Sequence, residues 1–232
     1  MNKILFVVPA RSGSKGIKDK NIRYCGKDTL LRQSIKKCKS IKYLSDIYVS
    51  TDSEKYIDHI KDLIDNPPFL RPKYLSGDLV SDIEVLIHAL HTCENFYKTT
   101  YKCVVMIQPT CPLRKTEDIV KSIEAVINDN YDSAITCQKI DKKYHPFKSL
   151  ALNDKGYINH FINQQSEIIA RQQLETTYIR NGACYSITPK QLCLGKTFFN
   201  CKSKLILTEH VLSIDTDEEL KYCEEILLKD NF

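Results

Sequence analysis

Apolar positions in this chain fall into short unbroken runs separated by mixed, amphipathic stretches. Ile4-Leu5-Phe6-Val7-Val8 and Cys103-Val104-Val105-Met106-Ile107 are two such runs, each bounded by loop residues. Runs of this kind predict strands buried on both faces, as in a parallel sheet covered by helices. The pattern predicts strands over 3–8, 46–51, 102–107, 132–138 and 182–187, and helices over 29–39, 53–64, 81–95, 116–129 and 217–229. Strands alternating with helices argue for βαβ units and a doubly wound α/β fold. Ligands in such folds bind beyond the carboxyl ends of the strands, so chemistry is expected in the loops after residues 8, 51 and 107.

The rhythm breaks over 139–180. That region is polar, and its short strand-like pieces, 148–152 and 156–158, predict an inserted antiparallel element. The segment 196–203 is read as part of the same excursion. No repeat, low-complexity stretch or linker divides the chain, so residues 1–232 are expected to form one domain with an insertion.

Composition narrows the class of function. The chain has 232 residues, 42% of them hydrophobic, which supports a real core. No apolar run approaches the roughly 18 residues of a membrane span. A formal charge of +5, with Lys and Arg spread among Asp and Glu, fits a small anionic substrate better than a nucleic-acid duplex or a membrane. Ten cysteines occur without a C-x-x-C pair, and Cys38, Cys103, Cys137 and Cys184 sit in apolar segments. They are read as reduced thiols acting as small hydrophobes in a cytoplasmic protein, not as a disulfide framework or zinc site.

The loop after the first strand is Pro9-Ala10-Arg11-Ser12-Gly13-Ser14-Lys15-Gly16, followed by Lys20-Asn21. Gly13 and Gly16 add no side-chain bulk, so backbone N–H groups can approach an anion. Arg11, Lys15 and Lys20 surround it with cations. The pattern is neither G-x-x-x-x-G-K-[ST] nor G-x-G-x-x-G. Taken alone it is either a triphosphate cradle or a solvated basic turn.

The other loops carry similar double readings. After the second strand, Asp52 suits a ribose or a metal, or else Asp52 or Ser53 caps the next helix. After the third, Gln108-Pro109-Thr110-Cys111-Pro112-Leu113-Arg114 is stiffened by two prolines and can present Gln108 and Thr110. Arg171 of Arg171-Gln172-Gln173-Leu174 can grip a carboxylate through two parallel hydrogen bonds. Asn181 and Tyr185 offer polar atoms at a strand start. Ser213-Ile214-Asp215-Thr216-Asp217-Glu218-Glu219 precedes the last helix. Asp215 and Asp217 suit Mg²⁺. Equally, Thr216 is a natural N-cap and the acids after it complement the helix dipole.

Together these pieces, with Leu70-Arg71-Pro72 and Asn181-Gly182-Ala183-Cys184-Tyr185, resemble the CMP-sialic acid synthetases, the acylneuraminate cytidylyltransferases, in order from residue 3 to about 229. The resemblance implies a Rossmann-like, mostly parallel sheet with a small dimerisation element, working as a homodimer. It implies that CTP and a nine-carbon 2-keto sugar acid give CMP-sugar and pyrophosphate, with Mg²⁺ as cofactor. By that likeness Arg11, Lys15, Lys20 and Asp215 are catalytic, and Ala10, Arg11, Ser14, Asn21 and Arg71 bind the nucleotide. Gln108, Lys148, Arg171, Asn181 and Tyr185 would hold the sugar, with Arg171 on its carboxylate, and Asp215 and Asp217 the metal. Phe198-Phe199 matches a Phe pair that enters the partner's sugar pocket in that family, or is plain interface core.

Three departures stand out. Ser213 occupies the first carboxylate position of the family's Asp-Ile-Asp-Thr. Arg180 directly precedes Asn181, where the family places its Arg nearer the preceding aromatic. Cys111 replaces a more usual Ser. The sugar pieces look closer to the sialate and legionaminate types than to pseudaminate, and the first loop differs from that of enzymes for the eight-carbon sugar Kdo. The competing readings are a weakened nucleotide-binding homologue, motivated by Ser213, and a basic nucleic-acid-binding domain, which no stacking stripe supports.

Overall fold

The computed structural model describes residues 3–65, 67, 69–162, 171–195 and 197–229. Its centre is a six-stranded sheet. The strands are β1 (Ile4–Pro9), β2 (Ser45–Ser50), β3 (Cys103–Met106), β4 (Ser133–Lys139), β5 (Tyr178–Ile187) and β6 (Ser203–Leu207), in the spatial order β6-β4-β5-β3-β1-β2. β1 pairs in parallel with both β2 and β3, and β6 pairs in parallel with β4. β5 runs antiparallel to both of its neighbours.

The helices are α1 (Leu30–Lys39), α2 (Glu54–Ile60), α3 (Asp82–Tyr97), α4 (Thr116–Ile127), α5 (Pro189–Cys193) and α6 (Asp217–Lys229). The unbroken apolar strands follow from two-sided burial. Ile4, Phe6 and Val8 of β1 pack with Leu31, Ile35, Tyr56, Ile119 and Ile123 of α1, α2 and α4. Leu5 and Val7 face the other way, onto Leu86, Ala89, Leu90 and Leu192 of α3 and α5. Successive side chains point to opposite faces, so a strand covered twice must be apolar throughout. This is the expected α/β, mostly parallel, doubly wound architecture.

Three boundaries differ from the sequence reading. The helix expected over 53–64 ends at Ile60. The strand expected over 182–187 begins at Tyr178, and its first three residues are exposed, which breaks the apolar run that marked the rest. Residues 197–203 do not belong to the excursion as a unit, and residue 196 lies outside the described residues. They lead into the sheet strand β6, in which only Ile206 is buried, so no apolar run marks it.

The inserted element grows out of the β4–β5 pair beyond its last rung, Lys139 opposite Tyr178. It contains the expected antiparallel pair, Leu150–Leu152 with Ile158–His160. Leu150, Leu152, Tyr157, Ile158 and Phe161 are all exposed.

Candidate active site

The loop leaving β1 is fixed from three sides. Asp52 accepts from the Ser12 backbone N–H at 2.8 Å and from Ser12 Oγ at 3.0 Å. Ser53, and not Asp52, holds the N-cap position of α2. Asp52 is therefore a brace for the loop. Asn21 Nδ2 donates to the Arg11 carbonyl at 3.1 Å, closing the loop on itself. The third side is the segment before α6. Lys20 Nζ donates to the Ile214 carbonyl at 3.0 Å and to Asp215 Oδ1 at 2.9 Å. A Cβ on Gly16 would lie 2.5 Å from the Asp215 carbonyl oxygen, so only glycine permits this approach.

A chamber of about 400 Å³ opens over the ends of β1 and β3. Arg11, Ser14, Lys20, Asn21, Arg71 and Gln108 line it with Asp78, Asp82, Ser213 and Asp215. Its cations are already engaged. Arg11 and Lys15 share Asp78, at 2.7 and 2.5 Å. These two bonds hold the Asp78 carboxyl below the ordinary carboxylate range, Lys15 contributing most. Arg71 is buried and donates to the Ser50 carbonyl at 2.9 Å, while its Nε is buried without a partner.

A second chamber, of about 540 Å³, adjoins the first. Gln138, Arg180, Asn181, Gly182, Tyr185 and His210 line it, and it shares Asp82, Gln108, Ser213 and Asp215 with its neighbour. The reversed strand β5 explains the placement. Because it runs against β3 and β4, its amino end lies at their carboxyl ends, where the loops converge. Asn181 Nδ2 donates to Thr208 Oγ1 at 2.8 Å and its Oδ1 accepts from the Ala183 N–H, which fixes the side chain. Tyr185 OH accepts from the Gly182 N–H at 3.2 Å, and burial raises its hydroxyl to about 12.

The proline loop is held from beneath by Arg114. This buried guanidinium donates to the Ala183 carbonyl at 2.9 Å, to Ser34 Oγ at 3.1 Å and to the Gln108 carbonyl. Arg114 thus ties the backbone of Gln108 to β5 and α1. Before α6, Thr216 and Glu219 form a reciprocal cap, with Glu219 Oε2 also accepting from the Asp215 N–H at 2.7 Å. The N-cap reading of Thr216 holds.

Several sequence-predicted residues lie elsewhere. Ala10 is buried under the loop, its N–H bonded to the Ser50 carbonyl. Lys15 stands at the rim, largely exposed, on Asp78. Lys148 is exposed in a turn of the insertion and lines neither chamber. Arg171 opens a short turn, Arg171–Gln173, and its side chain lies outside the described residues. Phe198 is buried against Tyr185 at 5.3 Å in the chain's own core, with its carbonyl on Ser133 at the far, amino end of β4. The neighbouring Phe199 is partly exposed there. Asp217 turns from Asp215 toward Arg23, 3.5 Å away, across a separate groove. Helix geometry explains this: Asp217 begins α6, whereas Asp215 lies before its cap.

Asp78, Asp82, Gln138, Arg180 and His210 belong to the two chambers without having been singled out as ligands. Asp82 opens α3, and burial raises its carboxyl against the pull of Arg180 and Arg71. A metal would find Asp215 here, with Ser213 Oγ 3.4 Å from Thr110 Oγ1 nearby. Among the described residues no three His, Cys, Asp or Glu side chains gather as a metal cluster. One carboxylate with hydroxyls and substrate phosphate still fits Mg²⁺, which keeps several waters.

Comparison with known proteins gives the family. The chain is 27% identical over 99% of its length to the post-translational flagellin modification protein B of Campylobacter coli, covering 97% of that protein. It is 28% identical over 95% of its length to the CMP-N,N'-diacetyllegionaminic acid synthase of Legionella pneumophila, covering 93% of it. It is 29% identical over 93% of its length to the N-acylneuraminate cytidylyltransferase of Streptococcus agalactiae serotype III, of which it spans 50%. In fold it is similar to a CMP:2-keto-3-deoxy-manno-octonic acid synthetase complexed with CTP, with a TM-score of 0.75 at 13% identity, covering 99% of this chain and 100% of that one. A family model for cytidylyltransferases matches residues 5–229, so the chain belongs to the cytidylyltransferase family, in its CMP-sialic acid synthetase group.

Proposed function

We propose that the protein activates a nonulosonic acid, joining CTP and a nine-carbon 2-keto sugar acid into CMP-sugar with release of pyrophosphate. The observation that carries this reading is the meeting of two chambers at Gln108, Ser213 and Asp215. One chamber brings Arg11, Lys20 and Arg71 together, facing Asp78, Asp82 and Asp215, and those cations suit a triphosphate. The other is walled by amides, a tyrosine and Arg180, and suits a polyhydroxylated acid.

The chemistry asks mainly for alignment and charge neutralisation. The sugar's anomeric hydroxyl attacks the α-phosphorus at the junction, and the bond to the β-phosphate oxygen breaks. Arg11, Lys15 and Lys20 take up the charge on the departing pyrophosphate. Arg71 and Asn21 would fix the nucleoside. Asp215 would hold Mg²⁺, with Ser213 and Thr110 hydroxyls beside it, and a bound divalent cation would neutralise phosphate charge there.

The exposed apolar side chains of the insertion, Leu150, Leu152, Ile158 and Phe161 among them, support a homodimer formed through this element. Two of the relatives named above act on sialic-type and legionaminic-type acids by their names, and those are the sugars proposed here. No helix among the described residues is long and apolar enough to cross a membrane. A cytoplasmic location accords with that.

The test is pyrophosphate release from CTP and Mg²⁺ with N-acetylneuraminate, legionaminate and pseudaminate in parallel. Release with one of the first two sugars, abolished in Lys20→Ala, is expected. Silence with all three in a protein that still binds CTP would overturn the reading in favour of a weakened homologue.

A further inference from the structure

We infer that Arg180 holds the carboxylate of the sugar acid. The inference rests on the proposed synthetase reading and deepens it. It begins with the substrate's own chemistry. In a 2-keto sugar acid the anomeric carbon carries both the attacking hydroxyl and the carboxylate. The carboxylate must therefore sit within a few ångströms of the α-phosphorus, at the junction of the two chambers and on the sugar side.

Among the described residues lining the second chamber, Arg180 is the one Lys or Arg. The cations of the first chamber are committed elsewhere: Arg11 and Lys15 to Asp78, Lys20 to Asp215 and a carbonyl, Arg71 to carbonyls. Lys148 lines neither chamber.

Proximity in the chain brings Arg180 to the junction. Gly182, two residues along, lies so close to Gln108 that a Cβ on it would collide with Gln108 Oε1. Arg180, Gly182 and Gln108 all line the second chamber. Gln108 is one of the residues common to both chambers. A guanidinium in that wall is within the same chamber as the junction, and its planar fork matches a carboxylate in two parallel hydrogen bonds.

The acids facing Arg180 leave it available for a ligand. Glu219 is occupied by three donors, the backbone N–H groups of Asp215 and Thr216 and the Thr216 hydroxyl. Asp215 is bonded to Lys20. Asp82 is pushed by burial toward its neutral form, against the opposing pull of Arg180. The one-residue shift of this arginine relative to the family pattern places the cation next to Asn181, where the chamber is.

The test uses the intact enzyme and steady-state kinetics with separate titration of each substrate. Arg180→Gln is expected to raise KM for the sugar acid about 10- to 100-fold, the scale of a lost charge-assisted pair, with KM for CTP unchanged. Arg180→Lys should recover part of the loss. A sugar analogue with a C1 amide in place of the carboxylate should be a poor substrate for the wild type and no poorer for Arg180→Gln. Persistent preference for the acid over the amide in Arg180→Gln, or an unchanged sugar KM, would overturn the inference. CTP binding by calorimetry checks that each variant is folded, and Arg180→Lys carries the comparison where Arg180→Gln does not fold. A wild type inactive with every sugar acid would instead sink the synthetase reading, and this inference with it.

Discussion

Arg11 and Asp78 form an ion pair of 2.7 Å within the first chamber, and Lys15 closes on the same carboxylate. Asp78 thus places an anion between two of the three cations expected to grip a triphosphate. A phosphate oxygen must replace it before those cations can act on CTP. Asp78→Asn keeps the shape and removes the competing charge. It is expected to lower KM for CTP about two- to fivefold, the range for a partly exposed ion pair. The gain should shrink as salt rises, because both pairings are screened. A raised KM in Asp78→Asn at low salt would show that Asp78 assists the nucleotide.

Gly182 is a second point where backbone shape governs the site. Its φ is +73°, a left-handed conformation, and the space a Cβ would need is taken by Gln108 Oε1, with Cys111 Sγ 3.4 Å away. Gly182→Ala meets both obstacles. The expected penalty is about 1–3 kcal/mol of stability, measured by urea unfolding. Gln108 must also withdraw from the junction, so KM for the sugar should rise more than KM for CTP. Equal changes in the two would mean that Gln108 has no part in holding the sugar.

Arg114 closes the proline loop 108–114. In the fold it is fully enclosed, and its donors serve the Ala183 and Gln108 carbonyls and Ser34 Oγ. Arg114→Met would strip those three buried acceptors of the guanidinium's hydrogen bonds, leaving the Gln108 carbonyl only the Cys111 N–H. A loss of about 2–5 kcal/mol is expected, again by urea unfolding. Arg114→Lys should rescue little, since an ammonium cannot span three acceptors from one fork. A variant within 1 kcal/mol of wild type would show that water replaces the guanidinium.

What could be read from the sequence, and what could not, follows from the range of each interaction. The strand and loop at Ile4–Asn21 were legible because burial, glycine and charge act locally there. Ser213 and Asp215 were legible from their place before a cap. The direction of β5 was not, since an apolar run buried on both faces looks the same whichever way it points. Yet that direction is what brings Arg180 and Asn181 to the chambers. Asp78 was invisible for a similar reason: it lies seven residues beyond Arg71, in a loop with no motif, and meets Arg11 only in three dimensions. Phe198 was misjudged because an aromatic pair near an edge strand gives no sign of which core receives it.

Asp82 offers a test through pH. Burial, the largest influence on it, places its folded pKa above the unfolded value, with Arg180 and Arg71 pulling the other way. The folded state therefore binds this proton more readily than the unfolded chain does. Its contribution to stability is fully present below the unfolded pKa and is lost as pH rises through the folded one. At neutral pH the folded protein carries a poorly solvated carboxylate. Asp82→Asn removes that burden while keeping the side-chain shape. The variant should be more stable than wild type at pH 7, with the difference narrowing as pH falls through the range where the wild-type carboxyl takes up its proton. Paired urea titrations across that range measure it. A variant less stable at pH 7, with a deficit that closes in acid, would mean that attraction to Arg180 and Arg71 outweighs burial. The carboxylate would then be their partner in the folded state.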